Sequence, residues 1–274
     1  MNYDELYSNI IRKRSFLCIG LDSDPDQFPD HIKVLDNSIF EFNKAIIDAT
    51  AQYVVAYKPN LAFYEAEGVS GWRQLAQTVE YIRKKDSSIF IIADAKRGDI
   101  GNTAKMYAKA FFEKMDFDAV TLAPYMGKDS IEPFLQYNGK WSIILALTSN
   151  SSATDFEMEQ LNSGVPMYRK VIESSIRWGS RDNIMFVVGA TRPEKLAEIR
   201  KYCPDHLFLV PGVGTQGGSV AEVARYGMNS SCGLLVNVSR KIIFAGQNKD
   251  FASVAGHKAR QISLEMSSFL KVLR

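Results

Sequence analysis

The chain has 274 residues, 46% of them hydrophobic and 23% charged, which is enough apolar material for a full core. Its 33 basic and 31 acidic side chains are mixed along the sequence and leave a net charge of +2, which argues against an extended nucleic-acid footprint but leaves room for a local basic pocket. No run of about 18 apolar residues occurs, so no membrane span is expected.

The N-terminal stretch MNYDELYSNIIRKRSF carries acids and lacks a signal-peptide apolar segment. The first apolar run, FLCIGLD (16–22), predicts a strand. An amphipathic stretch at 38–52 places Ile39, Phe42, Ile46 and Ile47 on one helical face. Strand YVVAYKP (53–59), helix 71–85, strand IFIIADA (89–95) and helix 103–115 follow, then strands AVTLAP (119–124), SIILALTS (142–149) and IMFVVGA (184–190). Helix 193–203, strands LFLVPGV (207–213) and GLLVNVSR (233–240), and a last helix over 251–273 complete the pattern.

Each run is nearly continuous in apolar residues, as parallel strands covered on both faces require. Strands alternating with helices predict an α/β fold, a single (β/α)8 TIM barrel spanning 1–274, a class of about 250 residues. An open doubly wound sheet shares the local pattern. Cys18, Cys203 and Cys232 have neither CxxC nor disulfide-framework spacing, so a reducing compartment and a cytoplasmic protein are expected.

In such barrels the active site lies at the C-terminal strand ends. Those ends carry Asp22, Lys58, Asp94 with Lys96, Thr148 with Ser149, Gly212 with Gly214, and Arg240, whereas the opposite ends read as bland. Charges closing apolar strands are costly to desolvate unless paired, so two carboxylates interleaved with two lysines predict an alternating network. The interleaved lysines would repel a divalent cation, so no metal and no cofactor is expected. His31, His206 and His257 fall away from the strand mouths, and no chemistry is assigned to the cysteines.

Gly212, Gly214 and Gly217 in VPGVGTQGG match GxGxxG between a strand and a helix. The motif sits late in the chain, and no acid ends the following strand. That context favours a monophosphate cradle from the loops after strands seven and eight, with Arg240 adding a permanent charge.

DAKRGDIGNT (94–103) matches the DxKxxDIxxT signature of the orotidine 5'-phosphate decarboxylase family, and GLD (20–22), KPN (58–60), TSN (148–150), PGVGTQGG (211–218) and NVSR (237–240) occur around it in the family's order. The chain therefore resembles that family over essentially its whole length, in the branch that carries KPN and TSN. The resemblance implies decarboxylation of orotidine 5'-monophosphate to UMP, the last step of de novo pyrimidine synthesis. It implies a charged tetrad of Lys58, Asp94, Lys96 and Asp99, with Lys96 as proton donor to C6. Asp99, Ile100 and Thr103 are expected to complete the site of a neighbouring subunit in a homodimer. Asp22 and Lys58 match ribose contacts, Ser149 the pyrimidine contact, and Gln216 and Arg240 the phosphate grip with Pro211, Gly212, Gly214 and Ser239 around it. Asn60 is expected to support Lys58. Because the domain is fused to orotate phosphoribosyltransferase in some organisms, that enzyme is a candidate partner. Two departures stand out: NSSATDFE (150–157) where many relatives carry Pro-Gly, and Ser239 where many carry Gly. The loop 150–165 is long enough to suggest a lid.

Overall fold

The structure, a computed structural model, describes residues 1–214 and 217–271. All eight apolar runs are strands: β1 (Leu17–Leu21), β2 (Ala56–Pro59), β3 (Phe90–Arg97), β4 (Ala119–Leu122), β5 (Trp141–Leu147), β6 (Ile184–Val188), β7 (Leu207–Val210) and β8 (Leu234–Val238). They pair in parallel and in chain order, and β8 closes on β1 through Leu17↔Val236 and Ile19↔Val238. The expected (β/α)8 barrel is therefore the observed one. Closure leaves no free sheet edge, and burial on both faces explains why the strands are rich in Ile, Val, Leu and Phe.

The helical layer follows the expected amphipathic stretches at Ser38–Thr50, Gly68–Lys85, Pro193–Tyr202 and Phe251–Leu270. The stretch 103–115 is divided: an α-helix Gly101–Lys109 runs into a π turn, Ala110–Lys114. Helices Met167–Ser175 and Val220–Gly227 fill places where the alternation calls for a helix but the sequence marks no bounds, and Tyr3–Lys13 precedes the barrel. Tyr3–Lys13 starts from an Asn2/Glu5 capping box, in which each side chain takes the other residue's backbone N–H. Helices Ser38–Thr50 and Phe251–Leu270 pack closely because Gly256 lacks a Cβ, which would lie 2.9 Å from the Ala49 carbonyl. Phe42 stacks on Phe28 at 4.2 Å and on Phe251 at 5.3 Å, locking the same corner.

The opposite strand ends are not bland. Asp118, just before β4, accepts from Arg83 at 2.7 Å and from the Ile91 backbone N–H at 2.8 Å, and Lys140 reaches Asp116 at 3.1 Å. These pairs knit loops at the start of the strands, a structural use that a count of strand-end charges does not reveal. The segment 150–165 carries local structure of its own. Its 3-10 turn Ser151–Asp155 is followed by Met158 N–H to Ala153 O at 3.1 Å and Leu161 N–H to Val165 O at 3.0 Å. Among the described residues no helix is long and apolar enough to cross a membrane.

Candidate active site

The polar residues at the C-terminal strand ends converge on two adjoining cavities of about 180 and 260 Å3. Lys58, Asp94, Ser149 and Pro211 line both. Lys58, at the end of β2, is 4% exposed, its stem lying in the core. Its ammonium donates to Asp94 Oδ2 at 2.5 Å, and the Lys96 ammonium donates to Asp94 Oδ1 at 2.5 Å. One carboxylate thus bridges two cations. Asp94 and Lys96 lie two residues apart near the end of β3, where the strand departs from its regular ladder.

Electrostatics keep the bridge charged. Burial opposes the charge on Asp94, but Lys58 and Lys96 outweigh it and hold the carboxyl well below the usual carboxylate range. Burial likewise opposes the Lys58 ammonium, and the Asp94 and Asp22 carboxylates more than compensate, raising it above the ordinary lysine range. Asp22 lines the smaller cavity, and its Oδ1 is buried with no hydrogen-bond partner among the described residues. An acceptor left open in a polar cavity is suited to a ligand hydroxyl. Below it, burial pushes the Cys18 thiol up to about 12, so it stays protonated and is no nucleophile.

Asn60, Pro211, Gly212, Ser239 and Arg240 line the smaller cavity. Asn60 also caps the short helix Leu61–Glu65 by accepting from the Ala62 N–H. Gly212 adopts φ +97°, a conformation that turns the chain at the end of β7. Gly214 lines a separate cavity, against Lys241. Gln216 lies outside the described residues. Asp99, Ile100 and Thr103 line neither cavity. The Asp99 carboxylate accepts from the Ile100 N–H at 2.8 Å, and Ile100 is 51% exposed.

Several residues here carried no sequence signal. Leu145, Val187 and Leu209 form an apolar wall of the larger cavity. Asn237 lines the smaller one and donates to Ser239 Oγ at 3.2 Å. Glu157 reaches back from the 150–165 segment to grip Thr148, accepting from its N–H at 2.7 Å and its hydroxyl at 2.8 Å, which fixes the residue before Ser149. A Cβ on Gly189 would fall 2.8 Å from the Ser149 backbone, so glycine there permits that approach. Thr121 touches both Asp94 and the Lys96 backbone.

Residues 15–253 match the model of the orotidine 5'-phosphate decarboxylase / HUMPS family. The chain belongs to that family. It is 55% identical to the orotidine 5'-phosphate decarboxylase of Christiangramia forsetii over 274 residues, all of both chains. It is 53% identical to that of Phocaeicola vulgatus over 270 residues, 98% of this chain and 99% of that one. A crystal structure described as a putative orotidine-monophosphate-decarboxylase from Toxoplasma gondii superposes with a TM-score of 0.85 at 32% identity, covering 97% of this chain and 98% of that one. Membership in the orotidine 5'-phosphate decarboxylase family agrees with the enzyme class expected from the motifs, a carboxy-lyase.

Proposed function

We propose that the protein converts orotidine 5'-monophosphate to uridine 5'-monophosphate, and that the charged chain Lys58–Asp94–Lys96 carries the chemistry. The C6–carboxylate bond breaks, its electron pair stays on C6 and CO2 leaves. The Lys96 ammonium stabilises that pair and then gives it a proton, and the resulting amine regains a proton from water. The ring provides no imine or enolate to absorb the electrons, so stabilisation must be electrostatic. One ammonium about 4 Å from a unit negative charge contributes roughly 4 kcal/mol at an effective dielectric near 20, well short of the ~8–23 kcal/mol that enzymes supply.

The remainder comes from binding remote from C6. Arg240, Gln216 and the backbone around Gly212 and Ser239 grip the phosphate, Asp22 and Lys58 hold the ribose hydroxyls, and Ser149 reads the pyrimidine. The apolar wall of Leu145, Val187 and Leu209 suits the flat face of a heterocycle and keeps water from the reacting carbon. Asp99, Ile100 and Thr103 complete the site of a second copy, which makes the working unit a cytoplasmic homodimer.

The observation that carries this reading is the saturation of Asp94: both of its oxygens are engaged by ammonium groups, a donor set suited to stabilising an anion and ill suited to a divalent cation. The test follows the loss of orotidylate ultraviolet absorbance after exhaustive EDTA treatment. Full retained activity is expected. Orotidylate turnover that vanishes with EDTA and returns with Mg2+ would overturn the metal-free reading of the site.

A further inference from the structure

We propose that Thr121 is a positioning residue for the reaction, holding the backbone of Lys96 and one oxygen of Asp94 in a fixed relation. The proposal rests on the reading of Lys96 as proton donor. Along β3 and β4 the register breaks: Ala93 faces Val120, yet Arg97 faces Leu122, so four steps on one strand match two on the other. The residues between them lose their regular ladder partners. Lys96 sits in that bulge with φ +47°, a left-handed conformation that is strained for a non-glycine residue. Such strain persists only where the surroundings enforce it.

Thr121 does so. Its hydroxyl oxygen accepts the Lys96 backbone N–H at 2.9 Å, in place of the carbonyl that a regular ladder would offer. The same hydroxyl donates its proton to Asp94 Oδ1 at 3.2 Å, the oxygen that also receives the Lys96 ammonium. Thr121 itself is 1% exposed, which keeps its hydroxyl turned to these two partners. One buried hydroxyl therefore closes a ring through the Lys96 backbone, the Lys96 ammonium and Asp94. When Lys96 surrenders its proton, Asp94 Oδ1 keeps the Thr121 donor, and the amine stays aimed at the carbon because its backbone is held. A valine of the same shape offers neither bond and leaves the Lys96 N–H without this partner.

The test measures orotidylate turnover for Thr121→Val and Thr121→Ser, with Lys96→Ala in parallel. For Thr121→Val, kcat is expected to fall about 10- to 100-fold with KM within about 3-fold of the parent, since the loss falls on geometry at the reacting atom and not on phosphate or ribose contacts. Hydrogen exchange at the Lys96 amide should accelerate in the same variant. Thr121→Ser keeps both bonds and should stay within about 3-fold of the parent kcat. If Thr121→Val does not fold, Thr121→Cys against Thr121→Ser takes its place, with the weak S–H donor expected to lose rate where serine does not. Parent-like kcat for Thr121→Val or Thr121→Cys, or equal losses in the serine variant, would overturn the proposal while leaving the role of Lys96 intact. Parent-like turnover by Lys96→Ala would instead overturn the reading of Lys96, and this proposal with it.

Discussion

Asp94 determines the character of the site, because a single carboxylate holds two ammonium groups, one of them in the core. Removing it by Asp94→Ala strands the Lys58 charge in a buried position, a change that costs about 3–5 kcal/mol. The expected outcome is a large fall in melting temperature together with loss of activity. Replacing both partners, Lys58→Met with Asp94→Leu, should recover much of the stability and none of the activity, since a buried ion pair exchanged for apolar side chains is often neutral or better. Thermal denaturation and turnover of the three variants separate the two effects. Acid should act on the same pair. The folded Asp94 carboxyl titrates below its unfolded value of about 3.9, so its contribution is complete above that pH and is lost as pH falls toward the folded value. Lys58 is shifted upward, so its contribution is complete below about 10.4 and is lost only as pH rises beyond it. The pair therefore leaves stability level across the neutral range.

At the scale of elements, β1 and β8 meet where Gly20 faces Ser239. A Cβ on Gly20 would lie 1.9 Å from Ser239 Oγ and 3.0 Å from Ser239 Cβ, so the serine at the mouth of β8 depends on the glycine opposite. Gly20→Ala should push Ser239 and the adjoining Arg240 away from the cavity and raise KM for orotidylate about 10-fold or more. Adding Ser239→Gly should restore most of the affinity. A parent-like KM for the single variant, measured by steady-state kinetics, would show that the two strands tolerate the side chain. All eight strands were legible because each must be apolar on both faces, and the charges that end them were legible because they interrupt those runs. Thr121 and Asn237 were not, since a lone polar residue within an apolar strand carries no spacing that distinguishes a positioned side chain from a tolerated one. Glu157 was hidden for a different reason: its partner, Thr148, lies across a loop whose path the sequence does not specify. Gly214 shows the converse, a motif glycine whose positive φ shapes the turn while its face looks onto another cavity.

For the whole molecule, the question is what completes the mouth beside β3. Asp99 lines neither cavity of its own chain, and on the segments that follow β3 and β4 the apolar side chains of Ile100, Met106, Tyr125 and Met126 are exposed, Tyr125 to 91%. Met126 approaches Gly98, placing part of this apolar surface directly beside Asp99. Apolar groups gathered next to an acid that the motif assigns to the site are what a second copy would cover, with each chain lending Asp99 to the other's lysines. On the proposed reading, a residue plain in the sequence lines no cavity of its own chain because it serves the site of a second copy. The account therefore stands on a composite site in which Lys96 and Asp99 come from different subunits. Its most direct test is the turnover of a purified heterodimer, co-expressed from differently tagged Lys96→Ala and Asp99→Asn chains. Each variant should be inactive as a homodimer, whereas the heterodimer, with one site carrying both defects and the other neither, should show about half the parent activity. A heterodimer as inactive as the two homodimers would contradict it.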